Sequence, residues 1–129
     1  MAQSPIGLIC AIPQERVDLR AALEHDERLE IGGFGFDRGR LDDRPVVLAE
    51  AGIGKVNTAA VATLLVARFD AGILVFSGVA GGLDPELAIG DVVIAERAIQ
   101  HDAGVIENER LHPYQAGHVP FFNPTPELG

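Results

Sequence analysis

Glu15 stands three residues beyond an apolar run and two beyond Pro13. A carboxylate there, in the first turn of a helix that follows a strand, has two possible roles. It can favour the helix dipole, worth about 0.3–1 kcal/mol. It can also stand at a strand-end crevice as a general base that takes a proton from water. Two glycine-rich turns follow, Gly52-Ile53-Gly54-Lys55 and Gly78-Val79-Ala80-Gly81-Gly82. The first is not a phosphate-binding P-loop. Its leading glycine would fall at Ala49, and Val56 stands where Ser or Thr is required. The second lacks the spacing of a dinucleotide turn. Glycine at such points relieves crowding. It also lets backbone amides approach a ligand, and open α/β sheets bind ligands at the carboxyl ends of their strands. Cys10 lies inside an apolar run and reads as a core residue, not a reactive thiol. His101-Asp102, His112 and His118 do not fix the convergent geometry a metal needs, so no metal site is expected.

These residues need strands and helices to hold them. Residues Ile6 to Ile12 (IGLICAI) read as a strand buried on both faces. Pro13 opens a helix that Gln14 to His25 continue. Phe34 to Pro45 is rich in turn formers and suits a hairpin, with its turn near Asp42-Asp43, leading into the strand Val46–Glu50. Val56 to Phe69 is apolar nearly all round, which predicts a buried helix. Ile73 to Ser77 reads as another buried strand, Asp84-Pro85 as a turn, and Val92 to Ile99 as a further strand. The order β-α-β-β-α-β-β predicts an α/β fold with a mixed, mostly parallel central sheet flanked by helices.

The 129 residues suffice for one domain with a real core. A net charge of −9 argues against nucleic acid as a partner, because phosphate contacts need clustered Lys and Arg. A single cysteine excludes a disulfide framework. No apolar run reaches the roughly 18 residues of a membrane helix, and residues 1–10 lack a signal-peptide pattern. The expectation is a cytoplasmic protein with no membrane partner. Residues 101–129 hold four of the eight prolines and three of the four histidines, and show no helical or strand period. They read as a Pro-rich loop or interface segment. The last strand has no covering helix after it, so residues 1–129 read as an incomplete fold, or as one completed by another chain.

The segments ICAIPQE, AGIGKVNTA, FSGVAGGL, IGDVVIA and HDAGV follow one another in this order. With them the chain resembles the nucleoside phosphorylase/hydrolase superfamily, and within it the 5′-methylthioadenosine/S-adenosylhomocysteine nucleosidases. The resemblance runs from about residue 5 to about residue 120. It implies a nucleoside phosphorylase-like fold of which only the first half is present. It implies hydrolysis of the N-glycosidic bond of a 5′-modified adenine nucleoside, without metal or organic cofactor. Glu15 matches the glutamate that activates the attacking water. Val79, Ala80 and Gly81 match the backbone turn beside ribose and purine. Ile12 and Ile53 match apolar positions around the 5′ substituent. Val105 and Pro120 match a segment that reaches the neighbouring subunit's pocket, which implies a homodimer.

The same resemblance separates water from phosphate as nucleophile. Phosphorylases of the superfamily hold phosphate with arginines at positions that correspond here to Glu15 and Phe76. A carboxylate repels phosphate, by several kcal/mol at low dielectric. The leaving purine must be protonated as the sugar becomes oxocarbenium-like. The family's acid is an aspartate in the second half, and Asp84, Asp91 and Asp102 do not match its motif. Residues 1–129 alone are therefore expected to release little adenine. Surroundings that raise the pKa of the base are expected to help it. Two departures keep other readings open. Val79 replaces a serine, and Pro13-Gln14 replaces an acidic pair. Futalosine hydrolase, a hopanoid-pathway purine phosphorylase, or a catalytically silent module that binds nucleoside or a partner chain are the alternatives.

Overall fold

A computed structural model describes residues 3–99, 102, 104–113 and 121–122. Strand β1 (Ile6–Cys10) leads into helix α1 (Pro13–Ala22). Strands β2 (Glu24–Ile31), β3 (Phe34–Leu41) and β4 (Arg44–Glu50) follow, then helix α2 (Lys55–Phe69) and strand β5 (Ile73–Phe76). They build a five-stranded mixed sheet in the order β2-β3-β4-β1-β5. β1 runs parallel to both β4 and β5, whereas β2-β3 and β3-β4 are antiparallel. The sheet is therefore mixed, with four of its five strands running the same way and β3 alone reversed.

β1 is the pivot. Leu8, Ile9 and Cys10 are buried, as an apolar run without alternation demands of a central strand. Ile9 packs with Phe36, Val47, Ala49, Val61 and Leu65 on the α2 side. Leu8 and Cys10 pack with Leu23, Val46 and Leu48 on the other. The β3-β4 hairpin turns at Asp42-Asp43, both at positive φ. Gly32 and Gly33 do the same between β2 and β3, at φ 61° and 81°, the twist a two-residue hairpin requires.

Four expectations fail. The helix after Pro13 ends at Ala22 rather than His25, and β2 follows, a strand the sequence did not announce. β2 is charged because it lies at the sheet edge, where charge blocks further pairing. α2 is not a buried helix. Val61 and Leu65 face the sheet, while Val56 and Val66 are exposed. β5 forms, yet as the opposite edge strand, and Ile73, Leu74, Val75 and Phe76 are all exposed. Residues 92–97 form no strand, and Val92, Val93 and Ile94 are exposed. A strand needs a neighbour for its amides, and none lies beside this segment among the described residues.

The chain divides into two units, residues 1–81 and 82–129. In the second, Asp84 caps a turn by accepting the Glu86 amide at 2.9 Å. Strand β6 (Ala98–Ile99) pairs with a short strand at residues 121–122, and β7 (Gly104–Glu107) forms a hairpin with β8 (Arg110–Pro113). Residues 101–129 are thus not wholly loop. The β7-β8 turn at Asn108-Glu109 sets this hairpin through local backbone twist, with both residues at positive φ, and hydrophobic period alone does not reveal it. No helix among the described residues is long and apolar enough to cross a membrane.

Phe36 is fully buried and stacks on Phe69, with ring centroids 4.9 Å apart. Phe36→Ala is expected to cost about 3–5 kcal/mol, measured by urea denaturation, because it removes the largest fully buried side chain among the described residues.

Candidate active site

The parallel strands β4, β1 and β5 are neighbours, so their carboxyl ends lie side by side. Two bonds extend the ladder past those ends. The Ala51 amide donates to the Cys10 carbonyl at 2.8 Å, and the Ser77 amide to the Ile9 carbonyl at 2.9 Å. The loops after the three strands are thereby drawn to one edge of the sheet. They carry Ile53, Ile12 and the bend at 78–81.

Glu15 occupies the centre of that edge. β1 ends at Cys10, two residues short of the apolar run, because the next two amides turn inward. Those of Ala11 and Ile12 donate to Glu15 Oε2 at 2.8 and 3.2 Å. Oε1 accepts the Val79 amide at 2.9 Å, across 64 positions of sequence. The helix has no side-chain acceptor at its N-cap, Ile12, so Glu15 supplies the first turn with its acceptor from inside. Gly78 makes the approach possible. A Cβ on it would lie 2.7 Å from Glu15 Oε1.

The bond from the Val79 amide, then that from Ala11, hold the Glu15 carboxyl below its ordinary pKa. Partial desolvation works the other way, and the Ile12 amide adds a further lowering. The expectation of a raised pKa is thus reversed: three backbone donors favour the charged form more than the surroundings oppose it. Cys10 lies beside this carboxylate, fully buried, and burial raises its thiol. That suits a core residue.

The other expected site residues fall as follows. Ile12 is half-buried at the start of α1. Ile53 is 80 % exposed and Val79 82 % exposed. Ala80 and Gly81 are open, and nothing lies within 4 Å of a Cβ built on Gly81. Val105 lies in β7, in register with His112. It belongs to the second unit. Pro120, His101 and His118 lie outside the described residues. Among the described residues, no group of three or more His, Cys, Asp or Glu could hold a metal ion.

Sequence reasoning missed an ion network beside the site. Asp37 on β3 is fully buried. Arg16 Nη2 lies 2.8 Å from it, Arg20 Nε 3.2 Å and Arg28 Nη1 3.3 Å. Arg16 also gives Nη1 to Glu50 Oε2 at 3.1 Å. Its Nε is buried without a hydrogen-bond partner among the described residues. The signal was the pair Arg16 and Arg20, four apart on one helix face, opposite an aspartate at an inward position of β3.

An ionised carboxylate, held by backbone amides at the ends of parallel strands beside a glycine bend, defines a class. This is an α/β protein that gathers its loops and a fixed carboxylate at the ends of its parallel strands. The chain belongs to the Phosphorylase superfamily, whose family model matches residues 5–128. It is 57 % identical over 124 residues to a 5′-methylthioadenosine/S-adenosylhomocysteine nucleosidase of Mycobacterium bovis, covering 96 % of this chain and 49 % of that protein. The chain spans about half the length of the curated relatives it matches. A solved nucleosidase of the same name from Neisseria meningitidis, in complex with methylthio-immucillin-A, superposes with a TM-score of 0.84 at 31 % identity, over 94 % of this chain and 52 % of that one. A futalosine hydrolase of Helicobacter pylori reaches 0.83 at 26 % identity, over 93 % and 52 %.

Gly78→Ala is expected to push the Glu15 carboxylate off the Val79 amide. Its NMR-observed titration then moves up toward the ordinary glutamate range. Because the folded-state pKa is the lower one, the three bonds stabilise the fold above the ordinary range, and this contribution fades as pH falls through the folded value. The stability gap between wild type and Glu15→Gln, from denaturation curves at successive pH values, is expected to shrink on that acid limb.

Proposed function

We propose that these residues carry the water-activating side of a purine nucleosidase site. The reaction is hydrolysis of the N-glycosidic bond of a 5′-modified adenine nucleoside, methylthioadenosine or S-adenosylhomocysteine, with Glu15 as the base. The observation that carries the reading is the ionised Glu15 carboxylate, fixed at the strand ends by the Val79 amide. The high identity to the Mycobacterium bovis nucleosidase favours this substrate class over futalosine, whose hydrolase is the more distant neighbour.

The bond between the sugar's anomeric carbon and the purine nitrogen breaks first, its electron pair leaving with the base. The sugar becomes oxocarbenium-like, and water adds to it. Glu15 takes the proton that water loses as it adds. Such a cation needs little nucleophilic push, so a weak base suffices provided it is charged. The lowered pKa of Glu15 provides that. The departing purine takes a proton from an acid, for which no residue of 1–129 is assigned. In this reading Ile12 and Ile53 flank the 5′ substituent, and Val79, Ala80 and Gly81 line ribose and purine. Val105 and Pro120 serve the pocket of a second copy in a homodimer, and the protein acts in the cytoplasm.

Phosphate is disfavoured as nucleophile by the same geometry. The arginine nearest Glu15 in sequence, Arg16, has its guanidinium engaged by Asp37 and Glu50. The reading as a silent module has no comparable support, because the relatives of highest identity are named as nucleosidases.

The test is adenine release from methylthioadenosine without added phosphate. Residues 1–129 alone are expected to release little. Joined to the remaining half of the Mycobacterium bovis relative, they are expected to turn over. Glu15→Gln in that protein is expected to lower kcat by about 10²–10⁴. Undiminished release by Glu15→Gln, or release that requires phosphate, overturns the reading.

A further inference from the structure

We infer that Arg16 is a positioning residue for Glu15: its guanidinium, shared between Asp37 on β3 and Glu50 at the end of β4, fixes the first turn of α1 where Glu15 meets the Val79 amide. The inference rests on the reading of Glu15 as the base.

Three observations lead to it. The first is that α1 lacks an apolar anchor at its first turn, since Leu19, which packs against the core, lies a turn further on. None of its ten residues is fully buried, and its N-cap supplies no side-chain hydrogen bond. The buried Leu23 lies just beyond its C-terminal end, far from the first turn. Something else must hold that turn against the sheet. The second is where the Arg16 bonds go. Nη2 reaches Asp37 at 2.8 Å and Nη1 reaches Glu50 at 3.1 Å, so two corners of one planar fork are tied to two different strands. Glu50 is in register with Cys10, the last residue of β1, so one of these ties lies at the level of the site itself. The third is that the arrangement is not optimised for stability. Arg16 Nε is buried without a hydrogen-bond partner among the described residues, and a buried ion pair is weak evidence for stabilisation. A precise placement of the neighbouring residue explains why an arginine stands there.

The clamp and the catalytic group are adjacent in sequence and point to different partners. Glu15 faces the strand-end loops, whereas Arg16 faces β3 and β4. A shift of the turn would lengthen the Val79 bond first, since that bond alone joins Glu15 to a distant segment; the Ala11 and Ile12 amides travel with α1.

The test follows the Val79 amide by NMR through a pH titration of the full chain. In the wild type its shift tracks Glu15, and Glu15→Gln removes that response. Arg16→Lys keeps the charge and loses the fork. Glu50→Gln cuts one arm without stranding a buried charge, since Glu50 is part-exposed, so a folded variant is at hand if the first unfolds. Both are expected to lose most of the Val79 response and to shift the Glu15 titration upward. Arg38→Gln, which breaks an exposed pair with Glu27, is expected to leave both unchanged. In the turnover-competent protein, Glu50→Gln is expected to lower kcat about tenfold with KM within about twofold, the signature of a misplaced reacting group. A wild-type Val79 response in both Arg16→Lys and Glu50→Gln overturns the clamp and leaves Glu15 as base untouched. Adenine release that ignores Glu15→Gln overturns the base reading, and the amide response still decides the clamp.

Discussion

One carboxylate receiving three backbone amides organises the strand-end edge of this molecule. Two of those amides belong to the turn between β1 and α1, and the third to the bend after β5. The bonds therefore do two things at once. They cap a helix that lacks any other cap, and they tie the first strand-helix unit to the loop that follows the last parallel strand. The same bonds keep the group ionised. Structure and chemistry do not compete here, because the carboxylate that caps the helix is kept charged by the same bonds that hold it in place. The bond to Val79 exists because residue 78 has no Cβ to fill the space that Glu15 occupies.

Much of this edge was legible in the sequence, for a physical reason. A short apolar run without alternation can be little other than a strand buried on both faces, and β1 is that strand. Carboxyl ends of parallel strands gather the loops that follow them, so Glu15 and the bend at 78–81 were expected to meet. The Asp42-Asp43 hairpin was legible as well, since its turn chemistry is local. What escaped was tertiary. β2 carries the string Glu24 to Arg28, which reads as helix or loop, and becomes a strand because β3 offers it an edge. The reverse happened at residues 92–97. Their composition asks for a strand, yet no neighbour supplies the other half of the ladder among the described residues. Propensity proposes an element, and pairing decides it.

The Asp37 network shows the same limit at the level of side chains. No local rule buries an aspartate in a strand. It is tolerated because Arg16, Arg20 and Arg28 converge on it from α1 and β2. Charges of a kind that usually faces solvent thus become an internal connection. Removing one partner of such a group is costly, whereas keeping the whole set adds little to stability. The value of the set lies in geometry, and its geometry ends one residue from Glu15.

That placement bears on the choice between water and phosphate. A phosphorylase needs cationic groups free at the strand ends to hold a dianion. Here the cationic group adjacent to Glu15 is committed to two carboxylates. At the strand ends stands an anion saturated by amides on both oxygens. Bringing phosphate to that edge would set like charges against each other and would compete with Glu15 for the Val79 amide. A neutral water meets no such opposition, and it presents the proton that a carboxylate can take. Attack by water also tolerates the low basicity that the three amides impose, because the cationic sugar, more than the base, drives the addition. In the reaction proposed above, the electrostatics that cap α1 therefore select the nucleophile too.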